Sequence, residues 1–123
     1  MPELVLGSSY EPDIAEPDIR ILLGRAGRMT AVFTASDDLA IRLYELAREI
    51  PLRIPDDLAI VGYGNLDMAP YLGLSTVCQQ PEEIGRAAIQ CFVERIQSRE
   101  APPRTIVVPT RLLVRESSGV ARS

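Results

Sequence analysis

The sequence contains no histidine, no lysine and no tryptophan, and only 2 cysteines. Without histidine, the commonest general base and metal ligand is missing. Without lysine, neither Schiff-base chemistry nor a phosphate-loop lysine is available. Cys78 and Cys91 have no metal-ligand spacing and sit among apolar neighbours, so they read as reduced core or boundary thiols of a cytoplasmic protein. All 13 basic residues are arginines, dispersed along the chain, against 17 acidic residues and a net charge of -4. That pattern makes no electrostatic footprint for nucleic acid. No apolar run approaches the ~18 residues of a membrane span, and the start carries no signal-peptide pattern. Neither a metal nor an organic cofactor is called for.

What is present suits an α/β architecture. The chain has 123 residues, 46% of them hydrophobic, with 8 glycines and 10 prolines. This is enough for one domain or one lobe of a larger one. Its organising stretch is 30–40. An apolar run, 31–35, is too short for a helix and rich in strand formers. It ends in Ser36, Asp37 and Asp38, and helical spacing follows at once in Leu39, Leu43, Leu46, Ala47 and Ile50. A small polar residue between strand and helix is an N-cap, and it places the turn at the C-terminal edge of a sheet, where open α/β sheets bind ligands.

The remaining chain repeats that alternation. Residues 4–7 read as a strand closing in Gly7-Ser8-Ser9-Tyr10. An acidic, proline-broken segment leads into a helix that begins near Pro17 and stops at Gly27. Strand 31–35 and helix 37–50 follow, then a tight connection at Arg53-Ile54-Pro55-Asp56-Asp57. Residues 58–63 form a second buried strand ending in Gly64-Asn65, 66–74 an irregular loop, and 75–77 a brief extended piece. Pro81, Glu82 and Glu83 open a helix over 81–97. Residues 105–108 and 112–114 read as extended, separated by Pro109, with a polar, frayed tail from 116. Strands alternating with helices predict a parallel sheet flanked by helices.

Four stretches resemble a known family: Thr30-Ala31-Val32-Phe33 with Ser36-Asp37; Arg53-Ile54-Pro55-Asp56-Asp57-Leu58-Ala59-Ile60-Val61-Gly62-Tyr63; Ser75-Thr76-Val77-Cys78-Gln79-Gln80-Pro81 with Gly85; and Arg115-Glu116-Ser117-Ser118-Gly119. In order and spacing they resemble the C-terminal part of the effector-binding domain of lactose-repressor-type (LacI-type) transcription regulators. That family joins a helix-turn-helix headpiece to a two-lobed domain like the periplasmic sugar receptors, with ligand held between the lobes.

The resemblance implies a partial lobe of type I periplasmic-receptor fold, cut inside a domain, in a regulator that is a repressor. Residues 1–77 would belong to the C-terminal lobe and 78–104 to a crossover and a helix packed on the N-terminal lobe. Residues 105–123 would be returning strands and tail. The partners implied are a sugar or nucleoside/purine-like effector, and operator DNA only through the headpiece, which has no counterpart here. A lobe missing a strand, with the apolar stripe of 81–97 orphaned, predicts a homodimer or higher oligomer, with exchange of helix 81–97 as one route.

By position, Tyr10 matches the aromatic that stacks on ligand, and Ser36 and Asp37 match a polar pair before the helix. Gly64 stands where the family usually has a ligand-binding aspartate, so either the effector is not a sugar of the usual kind or the polar contact shifts to Asn65; Gln79 completes the candidate shell. Ile41, Glu45 and Tyr71 match the dimer interface.

Plainer readings exist for these residues. Tyr10 can be a loop tyrosine, Ser36 or Asp37 a helix cap, and Asn65 a left-handed turn residue. Gly62-Tyr63-Gly64 is only a G-x-G and carries no dinucleotide signature. Asp37-Asp38 resembles the Mg²⁺-binding pair of receiver domains, but those need a lysine. A transport-type solute receptor is the alternative function, and a small α/β enzyme a weaker third, given the missing His and Lys.

Overall fold

The computed structural model describes residues 5, 10–25, 27, 29–98 and 102–119. Chain order is α1 (Pro12–Leu23), β1 (Ala31–Phe33), α2 (Asp37–Ala47), β2 (Ala59–Tyr63), β3 (Ser75–Cys78), α3 (Pro81–Gln97), β4 (Arg111–Leu113) and a 3₁₀ turn at Glu116–Ser118. The expected strand over 4–7 lies outside the described residues, apart from Val5.

The four strands form one sheet in the order β1-β2-β3-β4. β1 pairs with β2 in parallel, Val32 opposite Ile60, and β2 pairs with β3 in parallel, Gly62 opposite Thr76. β4 returns antiparallel to β3, with Cys78 opposite Arg111. The sheet is thus parallel over β1–β3, as expected, and mixed at this edge. A chain that leaves the sheet at residue 78 and re-enters beside the same residue must run the other way.

The helices α1 and α2 cover one face. α2 packs on β2 and α1 on α2. Alternation on β2 buries Ile60 and Gly62 and leaves Ala59, Val61 and Tyr63 half-buried on the opposite face. Leu43, Leu46, Leu58, Ile60 and Leu74 are fully buried, each contributing roughly 1.5–3 kcal/mol. Both helix boundaries shift from expectation. α1 starts at Pro12, whose missing N–H costs nothing in a first turn, and it carries Pro17 in its interior. Gly24 rather than Gly27 caps it, its N–H returning to Arg20 O. α2 ends at Ala47, because the amides of 48–50 bond back in tighter turns.

Two further corrections concern the C-terminal third. Residues 105–108 are not a strand among the described residues. They lie beside α3, where Ile106 and Val108 line a shallow groove with Ile84, Ala87, Ala88 and Cys91. No residue of α3 is buried, and Ile89 and Phe92 are about two-thirds exposed at 67% and 66%. The segment from 116, read as frayed, is instead anchored through Ser117, which is 1% exposed. Its Oγ donates to Ile60 O at 2.6 Å and accepts from Ser75 N at 2.8 Å, filling the gap where β2 and β3 begin. No described helix is long and apolar enough to cross a membrane.

Before β2 the chain is closed by Asp57. Its carboxylate accepts from Arg53 N at 2.9 Å, Arg53 Nε at 2.9 Å and Arg53 Nη2 at 2.7 Å. These side-chain bonds first, and the backbone bond second, hold the Asp57 carboxyl at about 2, below its usual 3.8.

Two outcomes follow. Ser117→Ala leaves a buried carbonyl and a buried amide unpartnered, and should lower unfolding stability by about 1–3 kcal/mol in urea titration; an unchanged midpoint would refute the anchoring role. The depressed Asp57 carboxyl contributes stability above pH 3.8 that is lost as pH falls through about 2. Asp57→Asn should therefore flatten the stability-versus-pH curve in that window, as read by circular dichroism melts at stepped pH.

Candidate functional site

Because β1, β2 and β3 run in parallel, residues 34–37, 64–66 and 79–80 all emerge at one rim of the sheet. α1 and α2 are themselves parallel: Glu16 pairs with Arg42, and Arg20 with Glu49 at 2.9 Å. Both helix N-termini therefore lie at that same end. Tyr10, one residue ahead of the N-cap Glu11, stands there with its side chain 74% exposed.

Ser36 caps α2. Its backbone is extended, and its Oγ accepts from Leu39 N at 3.3 Å. Its carbonyl accepts from Ala40 N and from Thr34 Oγ1 at 2.8 Å. The capping role foreseen for this turn therefore falls to Ser36.

Asp37 does something else. Its side chain is fully buried, with Oδ1 accepting from Thr76 Oγ1 at 2.6 Å and Oδ2 from Leu66 N at 2.8 Å. It sits in the first turn of α2, where the helix dipole favours negative charge. Asp37 as a direct ligand contact is thus corrected: both oxygens face the protein, and they tie the α2 N-terminus to β3 and to the loop after β2. The same engagement removes Asp37 from any Mg²⁺ pair, and among the described residues no group of three His, Cys, Asp or Glu is placed to hold a metal.

The G-x-G of β2 has two separate explanations. A side chain on Gly62 would run into the Asp37 carboxylate. Gly64 has φ 127°, a conformation few other residues adopt, and open space where a side chain would stand. Asn65 follows in the left-handed region at φ 57°. Its N–H reaches Thr76 Oγ1 at 3.3 Å, and its Oδ1 accepts from Arg115 Nη2 at 2.9 Å. Gln79 is exposed at the end of β3. Its neighbour Gln80 donates from Nε2 to Pro109 O at 2.5 Å, linking the outgoing and returning chains.

Ser36, Asp37, Gly64 and Asn65 thus lie at one end of the sheet with Gln79 and Tyr10, and Thr76 joins Asp37 to Asn65. The expected interface residues lie apart from it. Ile41 is half-buried on α2, Glu45 is exposed and paired with Arg42 at 2.9 Å, and Tyr71 is 84% exposed in the 64–74 loop. Two residues central to the rim, Thr76 and Arg115, stand in the family-like stretches, but the sequence gives neither a site role. Thr76 sits in a four-residue strand too short to show periodicity, and Arg115 is one of thirteen scattered arginines. An edge-to-face pair also went unforeseen: Phe33 and Tyr63 end adjacent strands with ring centroids 6.5 Å apart.

A profile described as periplasmic binding protein-like domain matches residues 7–118. The chain belongs to that family. Relatives carrying the domain are transcriptional regulators. The ribose operon repressor of Haemophilus influenzae is 36% identical over 118 residues, covering 94% of this chain and 36% of its own length. The transcriptional repressor PurR of Vibrio vulnificus is 31% identical, covering 94% and 35%. Among solved structures, the regulator CelR in complex with cellobiose superposes with a TM-score of 0.83 at 33% identity, over 95% of this chain and 36% of that one. A LacI-family regulator from Enterococcus faecium with bound ribose gives 0.81 at 30%, over 93% and 42%. The resemblance read from the residues is thereby confirmed, and so is the α/β fold of partial periplasmic-receptor type. The chain spans about a third of the length of these curated relatives.

Within this family domain, Asp37→Ala should be among the most damaging single changes. It leaves the Thr76 hydroxyl and Leu66 N–H without partners and removes charge-assisted bonds, costing about 2–5 kcal/mol. Denaturant titration checks this, and a loss below 1 kcal/mol would show that the carboxylate is not the rim's anchor.

Proposed function

We propose that this chain forms one wall of the effector site of a LacI-type transcriptional repressor, and that the effector is a small sugar or a nucleoside/purine-like metabolite. The observation that carries the reading is the gathering of Tyr10, Ser36, Gly64, Asn65 and Gln79 at the C-terminal ends of three parallel strands, where α/β folds bind small molecules. Relatives described as repressors, and neighbouring structures described with ribose or cellobiose, support a regulator over a transport receptor or an enzyme.

The residues divide the work. Tyr10 offers an exposed ring for stacking, and Gln79 an exposed amide. Gly64 offers peptide backbone that a ligand approaches closely. Asp37, Thr76 and Arg115 hold these in place from behind. In this reading 1–77 belong to one lobe, 78–104 to the crossover and a helix of the other lobe, and 105–123 to the returning chain. Ligand draws the lobes together, and DNA affinity changes by the difference in ligand free energy between open and closed states. Operator contact belongs to the headpiece of the whole regulator, homodimerisation to Ile41, Glu45 and Tyr71, and the setting is the cytoplasm. The uncovered apolar face of α3 supports association by helix exchange when this stretch stands alone.

Calorimetric titration with ribose, cellobiose and a purine base tests the effector site. One of these ligand classes should bind, and Tyr10→Ala should weaken it about fivefold, the equivalent of about 1 kcal/mol of stacking. Absence of binding by all three, or an unchanged affinity in the variant, would remove the reading.

A further inference from the structure

The chain leaves the sheet at Cys78 and re-enters at Arg111, directly opposite. Between them, the described residues 79–98 and 102–110 form an excursion whose helix buries no residue against the lobe. The two chains at its base form a neck, bridged by Gln80 Nε2 and Pro109 O. Beyond β4, the returning chain reaches Arg115 within two residues.

Arg115 is held unusually well for a half-exposed arginine. Its backbone N–H donates to Ser75 Oγ at 2.7 Å, its Nη1 to Leu74 O at 2.6 Å, and its Nη2 to Asn65 Oδ1 at 2.9 Å. Asn65 and Leu74 are the second and last residues of the connection between β2 and β3. One guanidinium therefore closes that loop, using the fixed fork of donors that only arginine has. The loop's first residues are the rim: Gly64 and Asn65 carry successive positive φ angles, and the Leu66 amide is the one Asp37 holds. Both positive-φ residues belong to a turn that needs outside support to stay in one shape.

We propose that Arg115 is a positioning residue that couples the neck to the ligand-side rim. Any displacement of β4 relative to β3 moves the Arg115 main chain, and the guanidinium passes that movement to Asn65. The inference deepens the effector reading and rests on it for its physiological meaning, but the mechanical coupling can be read without any ligand.

The test is hydrogen exchange of individual amides across the 64–74 loop, with β2 as the internal control. Arg115→Lys keeps the charge but cannot serve Asn65 and Leu74 together. It should raise exchange at Asn65 and Leu66 at least tenfold while Ile60 and Val61 stay protected. Asn65→Asp, which keeps an acceptor for the guanidinium, should leave exchange close to the parent. Gln80→Ala, made at the neck and remote in sequence from Asn65, should also raise exchange at Asn65 and Leu66, and should add nothing in the Arg115→Lys background. Ribose titration of the same variants gives the second readout, with about a fivefold loss expected for Arg115→Lys.

Uniform deprotection of β2 and the loop would mean a merely structural arginine and would overturn the proposal. So would additive effects of the two substitutions, or parent-like exchange in Arg115→Lys. Should ribose, cellobiose and a purine base all fail to bind the parent protein while the exchange pattern holds, the effector reading falls and the coupling stands.

Discussion

A carboxylate removed from water costs several kcal/mol unless its lone pairs are filled, and Asp37 fills them with the Thr76 hydroxyl and the Leu66 amide. That arrangement draws on four parts of the chain at once. The N-terminus of α2 supplies the charge and β3 supplies a hydroxyl. The loop after β2 supplies an amide, and Gly62 supplies the space. Because the group is buried and its partners come from residues 29 and 39 positions away, satisfying it fixes how the helix, the sheet and the loop meet. The rim on which the functional reading depends is the outer surface of that junction.

The same logic accounts for the C-terminal segment. Ser117 mends a gap in the ladder between β2 and β3, and Arg115 closes the loop that Asp37 opens. Polar groups that would be liabilities inside a small lobe become its fasteners, because each finds a partner far away in sequence. α3 shows the contrary case. Some of its apolar residues meet Ile106 and Val108 along one groove, but Ile89 and Phe92 stay exposed, so their burial depends on something other than the residues described.

Much of this was legible in the residues. Helix α3 was readable to its boundaries because Pro81, two glutamates and an unbroken 3.6-residue stripe all agree. The turn at Ser36 was readable because a short apolar run ending in Ser-Asp-Asp has few alternatives. What escaped reading depends on distant pairing. The direction of β4 is set by where Cys78 leaves the sheet, and no local pattern in Arg111–Leu113 reports it. The 105–108 run has strand composition, yet it lies along α3, since composition cannot say which surface an extended segment meets. Asp37 looked like a ligand contact for the same reason: a strand-end carboxylate reads identically whether it faces solvent or the interior, and only Gly62 beneath it hints at the second.

The account rests on the rim at the strand C-termini being the place where a metabolite is sensed. Amide chemical-shift mapping measures that most directly, with ribose, cellobiose and a purine base titrated in turn into the isotope-labelled protein. The account predicts that one of them shifts the amides of Ser36, Gly64, Asn65 and Gln79 together, leaving the Arg53–Asp57 turn unmoved. Shifts confined to other surfaces, or none at any of the four with all three ligands, would contradict it.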